Sequence, residues 1–231
     1  MRYLALATDY DGTLASDGWV DEETIVALER LRDSGRKLIL VTGRHLDDLL
    51  NVFPQVHLFE RIVVENGALL YRPRSREEKL LGEPPPEEFI KALQERGVDS
   101  LAVGRAIVAT WHPHESTVLE VIRNLGLERQ VIFNKDAVMV LPSGVNKASG
   151  LSAALSELGL SAHNTVGIGD AENDHSLLDF CECGVAVANA LPMLKERADF
   201  VTKGARGAGV IELIDKLIAS DLEELDPQIK R

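Results

Sequence analysis

Residues 3–8, Tyr-Leu-Ala-Leu-Ala-Thr, form an almost unbroken apolar run that ends in Asp9. That is the pattern of a buried parallel strand delivering a polar residue at its carboxyl edge. Residues 22–34 place Ile25, Leu28 and Leu31 on one helical face and stop at Gly35, a residue suited to a helix C-terminus. Residues 37–41 read as a second strand running into Thr42-Gly43-Arg44, and after another helix a third strand, 61–64, runs into Glu65-Asn66-Gly67. The β-α-β-α-β alternation predicts an α/β fold, a doubly wound parallel sheet with right-handed crossovers.

The rhythm changes at residues 72–76, and the rigid Pro84-Pro85-Pro86 confirms the change. Beyond it the spacing predicts a helix over 87–97, a strand over 101–111 and a helix over 115–125. Strands over 129–134 and 137–141 follow, joined by a tight turn. This order suits a small antiparallel sheet with helices on one face. After Gly144 the first rhythm returns, with a helix over 147–158, a strand over 165–168, a loop over 169–174, a helix over 176–180 and a strand over 184–187. The expected organisation is a discontinuous core domain, 1–81 and 144–220, an inserted α+β unit, 82–143, and an acidic tail or linker, 221–231, that would permit continuation into a longer polypeptide.

A chain of 231 residues is long enough for such a core with a smaller companion. Hydrophobic residues at 45% and charged residues at 27% place it among ordinary globular proteins and leave disorder no hold. No run approaches the about 18 apolar residues of a membrane span, and the N-terminus reads straight into a strand without a signal peptide. The expectation is therefore a cytoplasmic protein without membrane partners. A net charge of -12 speaks against a surface for nucleic acid, because affinity for a polyanion rests on clustered Lys and Arg. Cys181 and Cys183 stand one residue apart, which suits neither a disulfide framework nor the usual zinc spacing, so they read as reduced structural thiols.

In open parallel sheets the site forms outside the carboxyl ends of the strands. Here those ends carry Asp9 with Asp11, Thr42, and Asp170 with Asp174, while Lys147 opens a helix beside them. Taken singly, Asp9 could cap a turn, Thr42 a helix, and Lys147 could be a solvated first-turn residue. Together, several carboxylates with one hydroxyl and one ammonium suit a divalent cation and a phosphate.

The segments Asp9-Tyr10-Asp11-Gly12-Thr13-Leu14, Val41-Thr42-Gly43-Arg44, Gly144-Val145-Asn146-Lys147 and Gly169-Asp170-Ala171-Glu172-Asn173-Asp174 resemble, in order, the four motifs of the haloacid dehalogenase (HAD) superfamily. The insert between the second and third resembles a type II cap. Glu65-Asn66-Gly67-Ala68 is similar to the Cof-type subgroup, which includes archaeal phosphoglycolate phosphatases and sugar phosphatases.

The resemblance implies a Rossmann-like HAD core and a Mg2+-dependent phosphomonoester hydrolase that acts on a small phosphorylated metabolite, phosphoglycolate first and sugar phosphates next. It implies Asp9 as the nucleophile that becomes an aspartyl-phosphate, and Asp11 as the acid and base, its backbone carbonyl at the metal. Thr42 and Lys147 would hold the phosphoryl oxygens. Asp9, Asp11, Asp170 and Asp174 form the implied metal set, and Gly43, Arg44, Asn66 and Asn173 the implied substrate-binding set. Arg44 equally suits a surface ion pair, and Asn189 matches a loop near the family's site. Arg105, His112 and Lys135 are candidates for specificity within the insert. Trp111-His112-Pro113-His114 fits a strand exit better than a metal site. Two other functions share these motifs: intramolecular phosphotransfer, as in the related phosphomannomutases, and a regulatory module of a longer polypeptide. Monomer and homodimer are both open.

Overall fold

The computed structural model describes residues 1–134 and 136–225, arranged around two sheets. The first half of the large sheet contains β1 (Ala5–Thr8), α1 (Glu22–Asp33), β2 (Lys37–Val41), α2 (Leu46–Val52), β3 (Arg61–Val64), β4 (Leu69–Arg72) and β5 (Glu77–Leu80). The inserted unit follows with α3 (Glu87–Glu95), β6 (Ala102–Val103), β7 (Val108–Trp111), α4 (Glu115–Asn124), β8 (Arg129–Asn134) and β9 (Ala137–Pro142). The chain then returns through α5 (Lys147–Leu158), β10 (Thr165–Gly169), α6 (His175–Phe180), β11 (Cys183–Ala186), α7 (Pro192–Arg197), β12 (Phe200–Val201) and α8 (Gly207–Ser220).

The large sheet has the order β12-β11-β10-β1-β2-β3-β4-β5, parallel from β12 to β3 and antiparallel across β4 and β5. β1 is central, with Ala5 opposite both Thr165 and Lys37, and is buried along its whole length. Burial on both faces is why it reads as an apolar run rather than an alternation. The helices have local causes. Asp21 caps α1 by accepting the Thr24 N–H at 2.7 Å, and Gly35 follows its end at φ +89°. Asn146 caps α5 by accepting the Ser149 N–H at 2.9 Å, with the Ser149 hydroxyl returning the bond.

The small sheet, in the order β6-β7-β9-β8, is fully antiparallel. One face packs on α3 and α4 through Phe89, Leu93, Val118, Val121, Val138 and Val140. The other carries Ala109, Met139 and Leu141 toward the large sheet, where Ala68 joins the cluster. The chain leaves and re-enters the large unit at one place, for a Cβ on Gly82 would lie 2.8 Å from the Pro142 ring.

Four expectations need correction. The change of rhythm at 72–76 is a hairpin, and β4 and β5 extend the large sheet. β5 is exposed along its length and rich in charge, so it has no apolar signal; Arg61, Arg72 and Lys79 bind it and its neighbours to Glu157 of α5. The single strand expected over 101–111 is two, because the chain turns back between β6 and β7. Residues 188–219, where no element was expected, hold α7, β12 and α8, and α8 buries Val210, Leu213, Ile214 and Leu217. The tail is packed as far as residue 225: Leu222 and Leu225 enter the main core and Asp221 accepts from Arg36 Nη2 at 2.8 Å. Residues 226–231 of that expected tail lie outside the described residues.

Cys181 and Cys183 are buried thiols outside any disulfide, and burial, with Cys183 beside it, pushes the Cys181 pKa up. Among the described residues no helix is long and apolar enough to cross a membrane.

Candidate active site

The carboxyl ends of β1 and β10 lie side by side because their ladder continues one step past β1, where the Asp9 N–H donates to the Ile168 carbonyl at 3.0 Å. Asp9 and Asp170 therefore leave neighbouring strands together. Asp174 joins them from the turn before α6, and the three carboxylates offer oxygens within 4.8 Å of one another. All three are buried, Asp174 completely.

Close approach of the chain makes this packing possible. Gly12 holds φ +86°, and a Cβ there would stand 2.4 Å from Asp170 Oδ2. At Gly169 a Cβ would meet the Asp174 carboxyl at 2.5 Å. Asp174 Oδ2 accepts the N–H groups of Asp170 and Ala171 at 2.9 and 3.0 Å, which shapes the loop, and the Thr13 hydroxyl donates to Asp170 Oδ1 at 3.3 Å.

A buried ammonium serves this cluster. Lys147, at the start of α5, donates to Asp9 Oδ1 at 2.6 Å and Asp174 Oδ1 at 2.5 Å. Burial opposes its charge, but Asp174 and Asp9 outweigh burial and hold its pKa above the ordinary lysine value. At Asp9 this charge does not offset burial and repulsion. Burial first and Asp174 next push Asp9 up to about 8, against the pull of Lys147. A further cation would relieve that repulsion, and the set of carboxylate oxygens suits a hard divalent ion. Asn173, beside the cluster, keeps its buried Oδ1 without a hydrogen-bond partner, an acceptor available to a metal-bound water.

Thr42 is buried at the end of β2, its hydroxyl accepting the Arg44 N–H at 3.2 Å. Gly43 runs tight against Asn66, where a Cβ would lie 3.1 Å from the amide nitrogen. Asn66 in turn accepts from Asn173 Nδ2 at 2.8 Å and donates to Met139 Sδ at 2.9 Å. The Asp11 side chain stands outside the three-carboxylate cluster. Arg44 grips it with Nε and Nη2 at 2.6 and 2.8 Å, while its Nη1 reaches Asp48 at 2.6 Å. Both readings of Arg44 thus meet in one residue: it forms an ion pair and also lines the cleft.

That cleft, of about 590 Å³, has Asp9, Asp11, Thr42, Gly43, Arg44 and Asn173 for a floor. Its roof is the inserted sheet, with Ala102, Ala109, Trp111, Asn134, Ala137 and Met139. Asn134 Oδ1 is buried there without a partner. The roof residues were missed from sequence, although alternation along 108–111 and 137–141 puts 109 with 111 and 137 with 139 on one face. Two of the specificity candidates do not line this cleft: Arg105 pairs with Asp47 and Glu78, and His112 with Glu115. The third, Lys135, lies outside the described residues. Asn189 holds the loop after β1, donating to the Gly12 carbonyl at 2.9 Å and accepting the Arg206 N–H at 2.7 Å.

Comparison with known proteins agrees with this geometry. Residues 6–120 and 119–214 match the family model of haloacid dehalogenase-like hydrolases. The chain is 30% identical to phosphoglycolate phosphatase 2 of Saccharolobus solfataricus, over 96% of each chain. It is also 30% identical to the phosphoglycolate phosphatase of Methanothermobacter thermautotrophicus, over 93% of this chain and 98% of that one. Among solved structures, a haloacid dehalogenase-like hydrolase from Bacteroides thetaiotaomicron superposes with a TM-score of 0.78 at 21% identity, covering 93% of this chain and 99% of that one. A HAD subclass IIB sugar phosphatase superposes with a TM-score of 0.73 at 21% identity, covering 97% and 99%, and at such identity the likeness concerns the fold.

Proposed function

Since the chain belongs to the haloacid dehalogenase-like hydrolases of the Cof type and is a phosphatase enzyme, we propose that it hydrolyses a small phosphomonoester, phosphoglycolate before sugar phosphates, with Mg2+ and through an aspartyl-phosphate on Asp9. The observation that carries the reading is the buried carboxylate cluster with one lysine, closed over by an inserted sheet that leaves a cleft of about 590 Å³.

A carboxylate oxygen of Asp9 attacks phosphorus as the bond to the substrate oxygen breaks, and that oxygen leaves with a proton from Asp11. In the second half Asp11 takes a proton from water, the water oxygen bonds to phosphorus, and the bond to Asp9 breaks to release inorganic phosphate. Asp11 is gripped by Arg44 in this structure, so it exchanges that grip for the proton it gives, and Arg44 turns to the anionic substrate. Thr42 donates its hydroxyl and Lys147 its charge to the phosphoryl oxygens. Asp9, Asp170 and Asp174, with the Asp11 backbone carbonyl, would hold Mg2+, which when bound supplies positive charge to a phosphoryl group otherwise surrounded by carboxylates. Asn173 orients the metal loop through Asn66.

In this reading residues 82–143 are the cap. Asn134, the polar group of its roof whose buried oxygen has no partner, meets the end of the substrate away from phosphate. The preference for phosphoglycolate rests on the two archaeal relatives named for that activity. A panel of phosphorylated metabolites with Mg2+ tests the proposal, scored by inorganic phosphate released above an Asp9→Asn control. No release from any member above that control ends the phosphatase mechanism, and an isomerised sugar phosphate in place of free phosphate would make the chain a phosphomutase.

A further inference from the structure

Glu65 is fully buried, yet the proposed chemistry gives its carboxylate no part. Its carboxylate crosses from the floor to the roof. Oε1 accepts the Arg105 N–H at 2.9 Å, and Oε2 accepts those of Ala106 at 2.9 Å and Ile107 at 3.1 Å. These three amides form the turn between β6 and β7, the hairpin that carries Ala102, Ala109 and Trp111 over the cleft. The fit is close: a Cβ on Gly104 would lie 2.6 Å from the carboxylate, so that the hairpin and the carboxylate would have to part. Arg105 adds an outer clasp on Asp47 and Glu78.

The other side of the same turn holds the floor. Glu65, Asn66 and Gly67 have φ of +53°, +52° and +107°, a conformation that folds the chain back on the site. The Glu65 N–H donates to the Arg44 carbonyl at 2.9 Å and the Asn66 N–H to the Thr42 carbonyl at 3.0 Å. Gly67 lies against the backbone of Asn146, one residue before Lys147, so that a Cβ there would be 2.0 Å from the Asn146 carbonyl oxygen. Asn66 reaches the metal loop through Asn173 and the roof through Met139.

Resting on the phosphatase reading, we infer that Glu65 is a positioning residue. Its carboxylate docks the roof hairpin on the floor, and its turn passes docking to the loops of Thr42, Lys147 and Asn173. A carboxylate that receives three backbone donors is the side chain for this place, because both oxygens are acceptors. A carboxamide has one acceptor oxygen and sets an NH2 against an N–H. The turnover of a substrate that needs the roof thus depends on Glu65. An aryl phosphate, whose leaving group departs without a proton and whose ring is not the roof's ligand, depends on it little.

The experiment compares wild type with Glu65→Gln and Gly104→Ala, the second keeping the carboxylate but forcing the hairpin off it. Amide hydrogen exchange at Arg105, Ala106 and Ile107 is expected to quicken about tenfold or more in both variants, with β1 and β10 as protected as before. kcat/KM for the preferred small phosphometabolite is expected to fall about tenfold or more, and that for p-nitrophenyl phosphate by less than about threefold. Unchanged exchange at the three amides, or an equal fall for both substrates, overturns the inference and leaves Glu65 a structural residue. Should the wild type release no phosphate from either substrate, the phosphatase reading fails while the exchange measurement still judges the docking contact.

Discussion

The floor and the roof of the cleft are held in opposite ways. On the floor, charge is held by charge: of three buried carboxylates, those of Asp9 and Asp174 share the buried Lys147 ammonium, and loop N–H groups and Thr13 help fix their directions. On the roof the cleft-facing residues are small or apolar, with one amide among them, and what fixes the sheet is a set of backbone contacts to the floor. On a floor built this way a change of charge at one group is felt by the others, since each is the counterpart of another in a poorly screened place. A roof of alanine, methionine and tryptophan can change shape by side-chain volume alone. In the proposed function, reaction and selectivity fall on surfaces with different tolerances.

The most severe break is Asp9→Asn, which in the proposed mechanism removes the nucleophile and also removes one unfavourable buried charge. Phosphate release is expected to fall by about three orders of magnitude or more with melting temperature kept or raised, and a variant retaining a tenth of the rate would move the nucleophile elsewhere. Chelation of divalent ions comes next, with a loss of about 100-fold or more that Mg2+ reverses, against full activity in chelator if the cation is unneeded. In the metal-free protein Lys147→Met strands Asp9 and Asp174 and should cost about 3–5 kcal/mol in denaturant unfolding; a value near zero would show that the cluster is protonated rather than paired. The roof gives a smaller response: Asn134→Ala is expected to raise KM about five- to tenfold with kcat nearly unchanged, and to do so unevenly across substrates.

The smallest effect tests a part belonging to neither surface. The Arg72 hydrogen bond, with Arg61 and Lys79, lowers Glu157 to about 2. A depressed carboxyl contributes stability that is present above its ordinary value of 4.5 and lost as pH falls toward 2. Melting temperature over that window should drop more steeply in wild type than in Glu157→Gln, with substrate preference the same in both.

Much of the floor was legible in the sequence because each of its residues follows a buried strand or opens a helix, and those elements have strong periodic signals. Asp9 after residues 5–8 and Lys147 after the Asn146 cap are the clearest cases. The roof was hard to read for the complementary reason. Beside Trp111 its facing residues are mostly alanines and a methionine, which carry no chemistry to notice, and Asn134 stands out only by an unpaired oxygen that the folded sheet creates. Glu65 was visible as part of Glu65-Asn66-Gly67-Ala68, but its contact with the roof was not, because its partners are backbone N–H groups some 40 residues away, which any residues there would have supplied. The missed β5 and the packed segment 221–225 share one cause: charged side chains, Lys79 and Asp221 among them, do structural work in ion pairs that resembles solvent exposure when read along the chain.

The meeting of Gly82 with Pro142 gives the molecule the logic of a socket. The chain crosses out of the large sheet and back at points in contact, so whatever stands between them need only begin and end together. The entropy of closing such an excursion grows slowly with its length. A longer or shorter roof can be fitted there without disturbing the order of the strands that carry Asp9 and Asp170, provided that it brings a hairpin turn to rest on Glu65.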